Sequence, residues 1–165
     1  MKNLNNLFRE CQAELDSLHI PYSPYIVIKP NYRAKRRWGL CTKKPDGSYI
    51  IEISDRLLTD DVPDKSTKTT ILHELLHTVP GGNCHTGAWK FYATKVNTVL
   101  GYNISRTTSA AEKGVEEFAI INNYKYFITC DKCGYVWKRT RATAVTAHPE
   151  HYHCHCGGNL KVTEL

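Results

Sequence analysis

His73-Glu-Leu-Leu-His-Thr-Val-Pro-Gly-Gly-Asn-Cys-His-Thr-Gly-Ala-Trp-Lys90 is the stretch that decides how this chain is read. His73 and His77 are four residues apart, so on an α-helix they share one face, offset by roughly 6 Å along the axis. Two imidazoles so placed can reach one ion, and zinc accepts such nitrogens at about 2.0–2.1 Å. Glu74 stands beside that pair and off the ligand line. There it can take a proton from a water that the metal acidifies, and return it to a leaving amine. A catalytic zinc needs a third protein ligand. His85 is the candidate, because Pro80-Gly81-Gly82 can turn the chain back toward the helix. Cys84 is a rival, and Glu112, Glu116 and Glu117 are carboxylate alternatives. Tyr92 and Tyr102 are candidates for steadying an oxyanion. The bland alternative is an amphipathic helix that carries histidines by chance.

Outward from this stretch, the sequence predicts an α+β fold. Leu4, Leu7, Cys11, Leu15 and Leu18 recur at helical spacing and predict a first helix. "YIVIKP" reads as a strand, and "NYRAKRRWGLCTKKPDGSYIIEIS" as two strands joined by a Pro-Asp-Gly turn. The His-Glu helix follows, with Ser66 expected as its N-cap after Pro63 and with Ile71, Leu72, Leu75, Leu76 and Val79 on its apolar positions. "TGAWKFYATKVNTVLGYN" predicts another helix ended by Gly101, and "AAEKGVEEFAII" a further one.

From Tyr124 onward the character changes to aromatics, glycines and paired cysteines. Cys130-x2-Cys133-Gly and, twenty residues on, Cys154-x-Cys156-Gly-Gly have the form of two knuckles of a zinc ribbon. The second pair is one residue tighter than the first, and His153 with Cys156 is the alternative pairing. The expected domains are therefore 1–122, a catalytic domain, and 123–165, a ribbon whose metal supplies much of its folding energy. The expected cofactor is two zinc ions, one catalytic and one structural.

The 165 residues carry 22 Lys and Arg against 16 Asp and Glu, a net charge of +6. Residues 1–53 hold +4, residues 54–123 hold −1, and residues 124–165 hold +3. Basic ends suggest a polyanion partner. Arg36 and Arg37 are candidate contacts, as are Trp137, Lys138, Arg139 and Arg141, where cations alternate with aromatics in a manner suited to single-stranded nucleic acid. The competing reading makes Trp38 and Cys41 core residues and the ribbon aromatics that module's own small core. With 41% hydrophobic and 23% charged residues, no apolar run is long enough for a membrane helix. The first twenty residues read as an amphipathic helix and not as a signal peptide. Seven cysteines, four of them clustered, suggest metal ligands plus reduced thiols and a cytoplasmic setting.

Taken together, the order of helix, turn, His85-Thr-Gly-Ala-Trp89 and second helix resembles the SprT-like (Spartan-like) metallopeptidase family. "RAKRRWGLC" from Arg33 to Cys41, "GYNISRTTS" from Gly101 to Ser109, and the terminal ribbon are similar to the same family. The resemblance covers nearly the whole chain. It implies a zincin-like domain, a zinc-dependent peptidase with His73, His77 and His85 as ligands and Glu74 as general base, and a protein substrate associated with or crosslinked to DNA. The alternative is a zinc-ribbon nucleic-acid-binding protein in which the His-Glu site is vestigial or structural.

Overall fold

The computed structural model describes residues 1–34, 36–115 and 124–164. The chain divides into two compact units, Met1–Glu117 and Phe118–Leu165.

The first unit is mixed α+β. Helix α1 (Leu4–Ser17) is capped by Asn3, whose side chain accepts from the Asn6 N–H, and it buries Leu4, Leu7, Phe8, Cys11 and Leu15. Strands β1 (Ile26–Asn31), β2 (Gly39–Lys43) and β3 (Tyr49–Ser54) form a sheet in the order β1-β3-β2. β3 is central, parallel to β1 and antiparallel to β2. The β2–β3 turn is the expected one, with Gly47 at φ +84° and the Lys44 N–H bonded to the Ser48 carbonyl. β2 is an edge strand of this sheet.

Helix α2 (Asp64–Leu76) carries His73 and is capped by His77, and it begins three residues earlier than expected. Pro63, not Ser66, is the N-cap, and no side chain caps the helix. Pro63 already has the φ of −60° that leads into a helix, Asp64 places negative charge in the first turn, and the Ser66 N–H bonds the Pro63 carbonyl. The helix is buried on most sides. Ile71, Leu72, Leu75 and Leu76 have no exposed surface, and with Ile51 and Ile53 of β3 they belong to the core. Three β-branched threonines reduce its intrinsic helix propensity, yet their hydroxyls are all satisfied: Thr67 donates to Leu57 O, Thr69 to Lys65 O and Thr70 to Ser66 O. Packing, not propensity, maintains α2.

Helix α3 (Gly87–Leu100) ends on Gly101 in the left-handed conformation, as the sequence implied. A short helix α4 (Ala110–Lys113) has a full capping box made by Ser109 and Glu112. The rest of the helix expected there lies partly outside the described residues.

The second unit contains β4 (Tyr126–Cys130), β5 (Val136–Arg139), a one-turn helix α5 (Ala144–Ala147) and β6 (Leu160–Glu164). The strands form an antiparallel sheet in the order β5-β4-β6. Among the described residues no helix is long and apolar enough to cross a membrane.

Candidate metal centre

His73 on α2, His77 at its C-cap and His85 in the following loop converge. The Nε2 atoms of His73 and His85 are 3.0 Å apart, and those of His77 and His85 are 3.2 Å apart. Zinc–nitrogen bonds at tetrahedral angles set nitrogens about 3.3–3.4 Å apart, close to these two separations, and ligand atoms of all three histidines lie within 4.8 Å of one another.

The hydrogen bonding reinforces that fit. His73 Nδ1 lies 3.0 Å from the Ser105 carbonyl, and His77 Nδ1 lies 2.9 Å from the Gly82 carbonyl. A carbonyl only accepts, so each neutral ring spends its single proton at Nδ1 and turns a bare Nε2 lone pair inward. Burial, with the neighbouring histidines, pushes His73 down to about 3, and burial lowers His77 and His85 too. Neutral rings with converging lone pairs are the donor set of a borderline-soft cation.

Trp89 supports all three rings. It is 3% exposed, its Nε1 donates to the His73 carbonyl at 3.2 Å, and its ring centroid is 4.7–5.7 Å from those of the histidines. Gly82 closes the loop. A Cβ there would stand 2.5 Å from Val79 Cγ2 and 3.1 Å from the Val79 carbonyl, so a side chain has no room.

Glu74 is 6% exposed, and burial raises its carboxyl to about 8 against the opposing influence of the Cys41 backbone N–H, Arg37 and Lys113. Its side chain lies across Gly39 at the start of β2. A Cβ on Gly39 would come within 2.7 Å of Glu74 Cγ and 2.9 Å of its Cδ. The glycine of "RRWGLC" is therefore the space in which the carboxylate lies. Trp38, beside it, donates from Nε1 to the Thr108 carbonyl at 3.2 Å and stacks under the Arg56 guanidinium. Cys41 is partly buried, with its thiol pushed up to about 12, chiefly by burial.

The three histidines and Glu74 line a cleft of about 860 Å³ walled by Gly39, Leu40, Cys41 and Lys43 of β2, by the turn from Val79 to Gly82, and by Arg106. The other candidates lie elsewhere. Cys84 is exposed, with its sulfur 3.0 Å from Thr86 Oγ1. Glu112 is committed to the cap of α4, and Glu116 and Glu117 lie outside the described residues. Neither Tyr92 nor Tyr102 is among the residues lining the cleft. The Tyr102 hydroxyl donates instead to the Glu14 carboxylate at 2.9 Å. Arg36 and Arg37 line a recess beside Glu74. Gly39, Arg106 and Lys113 were not singled out from the sequence.

In the second unit Cys130 and Cys156 sulfurs are 3.5 Å apart, and those of Cys133 and Cys154 are 3.6 Å apart. Tetrahedral zinc with bonds of about 2.3 Å separates sulfurs by about 3.8 Å, close to what is seen. The Cys133 N–H points at Cys130 Sγ (3.4 Å) and pulls that thiol down to about 6. Gly134 and Gly157, at φ +70° and +78°, give each knuckle its left-handed turn. The group that could hold an ion comprises the four cysteines; His153 is instead bridged through its backbone to Asn159. Strand pairing sets Trp137 opposite Ile128 and Arg139 opposite Tyr126, so alternation places those two on one face of β5 and Lys138 on the other. Lys138 Nζ sits 5.6 Å from the Tyr124 ring centroid and 5.8 Å from that of Phe127. Arg139 and Arg141 are exposed.

A search of curated proteins finds no match to the chain. The model of the SprT-like family matches residues 4–109, which include every histidine of the metal centre, Glu74 and the cleft walls. With that match extending over most of its length, the chain belongs to the SprT-like family, and its first unit is a metallopeptidase-like domain.

Proposed function

We propose that the protein is a zinc-dependent endopeptidase with a zincin-like catalytic domain, acting on DNA-associated or DNA-crosslinked proteins. The observation that carries this reading is the convergence of three histidine Nε2 atoms in a cleft, with a buried carboxylate beside them. His73, His77 and His85 would hold the ion. Zinc, when bound, supplies Lewis acidity: it lowers the pKa of a water to about 7 and polarises the scissile carbonyl.

The chain's own residues do the rest. Glu74, held against Gly39 and by the Cys41 N–H, takes the proton of the attacking water and passes it to the leaving amine. Burial raises its carboxyl above the ordinary glutamate range, the direction that suits a group which must return the proton it accepts. β2 pairs with β3 on one side, and its residues Gly39, Leu40, Cys41 and Lys43 line the cleft, so an extended substrate can align along that edge by backbone hydrogen bonds.

Cys130, Cys133, Cys154 and Cys156 would hold a second, structural zinc. Trp137, Lys138, Arg139 and Arg141 on the ribbon, with Arg36 near the cleft, supply cations and aromatic faces for DNA of single-stranded character. Reduced cysteines fit a cytoplasmic location.

One experiment tests the reading. Zinc-loaded protein is incubated with a DNA-bound protein substrate, with and without DNA and with a chelator. Chelator-sensitive cleavage that single-stranded DNA accelerates is the expected result. Salt-sensitive DNA binding with no cleavage of any substrate would favour a binding module instead.

A further inference from the structure

Behind Glu74 the cleft opens into a side recess of about 270 Å³. Gly39, His73, Glu74 and Arg106 line both spaces, so the recess and the reaction centre share a wall. Its charge is lopsided. Arg36, Arg37, Arg106 and Lys113 line it, and the single carboxylate among its lining residues is Glu74.

Lys113 is the unusual member. It is 3% exposed, and its Nζ donates to the Ser66 carbonyl at 3.3 Å. An ammonium carries three donors, and its burial disfavours the charge even with the Glu112 and Glu74 carboxylates acting on it. The walls are fixed before any ligand arrives. Trp38 Nε1 bonds the Thr108 carbonyl, His73 Nδ1 meets the Ser105 carbonyl, and Asn97 Nδ2 holds the Ile104 carbonyl at 2.9 Å.

We propose that this recess is a carboxylate subsite of the peptide substrate, formed by Arg37, Arg106 and Lys113 and seating an acidic group borne close to the bond that is cut. The inference deepens the peptidase reading and rests on it. The volume suits one side chain. A group lying in it while the scissile carbonyl sits at the histidines must be tethered within a residue or two of that carbonyl. A nucleic-acid strand, whose phosphates need an open track, does not fit such a recess. Guanidinium forks and an ammonium suit a carboxylate's paired oxygens. The carboxylate has two sources, an Asp or Glu side chain or the chain's terminal carboxyl group.

The test has a catalytic arm and a binding arm. In the first, zinc-loaded protein digests a mixed peptide library and the new termini are read by mass spectrometry. Asp and Glu should be enriched at least about tenfold at one fixed position beside the cut, the scale of a charge-assisted hydrogen bond. Arg106→Gln, at an exposed position that does not endanger folding, should remove most of that enrichment. In the second arm, Glu74→Gln protein binds fluorescent peptides that differ by Glu or Gln at that position, each with a free or amidated C-terminus. Tighter binding of the Glu peptide, lost on adding Arg106→Gln, assigns the recess to a side chain. Preference for the free terminus assigns it to the terminal carboxylate. Carboxylate-selective binding with no cleavage of any peptide would uphold the recess and sink the peptidase reading. Cleavage with no acidic preference, together with equal binding of all four peptides, overturns the subsite. So does short single-stranded DNA that displaces peptide through Arg106 when no carboxylate preference exists.

Discussion

Gly39→Ala tests whether the cleft depends on the space beneath Glu74. Gly39 lies in β2 without a positive φ, so alanine suits the backbone and the strand. What it meets is the carboxylate arm, at 2.7 Å from Cγ and 2.9 Å from Cδ. Carbon atoms rest at about 3.5–4.0 Å, so the Glu74 side chain must retreat by about 1 Å. Such a shift of a catalytic group costs about a hundredfold in rate. Overpacking costs about 1–3 kcal/mol, which lowers the melting temperature by a few degrees per kcal/mol. Kinetics on a peptide substrate, elemental analysis and a thermal melt check these together. We expect kcat/KM to fall about a hundredfold, zinc content to stay unchanged and melting to be cooperative and slightly earlier. Added to Glu74→Gln, the same substitution should lower activity no further, because the group it displaces is already disabled. A Gly39→Ala enzyme within about threefold of wild type, with full zinc, would refute the reasoning.

The remaining expectations can be checked on the same preparation. Glu74→Gln keeps its zinc and loses at least about a hundredfold in activity, whereas His77→Ala loses the metal as well. Elemental analysis gives two zinc ions per chain, and replacing Cys130 and Cys133 removes one; a value of one in intact wild-type protein contradicts the pair of sites. Gly82→Ala distorts the loop whose carbonyl orients His77, and should weaken zinc binding by about 10–100-fold in a chelator competition, the range for outer partners of ligands. Lys113 is pushed from 10.5 down to about 8 by burial, so folding disfavours its charged form. The unfolded chain then binds more protons between about pH 8 and 10.5, and the native state gains stability as pH rises through that window. Lys113→Met should therefore be more stable than wild type at pH 7, by up to about 3 kcal/mol, with the difference shrinking as pH approaches 10.5 in denaturant melts.

The parts of the site legible in the sequence are those set by local spacing. His73 and His77 sit one helical turn apart on α2, and each cysteine pair lies within one knuckle. His85 was accessible because a Pro-Gly-Gly turn narrows where the chain can go. What stayed hidden depends on distant segments meeting. Nothing local in "RRWGLC" says that Gly39 faces a carboxylate 35 residues on, or that the Trp38 indole bonds the carbonyl of Thr108. Lys113 reads as a solvated helix residue, yet it is buried in the fold, where α4 packs against α2. The N-cap of α2 was misplaced for a local reason: Ser66 has the right side chain, but Pro63 presets the turn three residues earlier.

Helix α2 is at once the centre of the core and the bearer of His73 and Glu74. That double duty constrains how descendants of this chain can diverge. A change on α2 that alters the chemistry also disturbs Ile71, Leu72, Leu75 or Leu76, so neutral drift there is slow. The segments 39–43, 79–85 and 104–108 form the walls of the cleft and its recess while contributing few fully buried side chains. New substrate preferences are therefore expected to arise by substitution in those three segments, with the helix inherited almost intact.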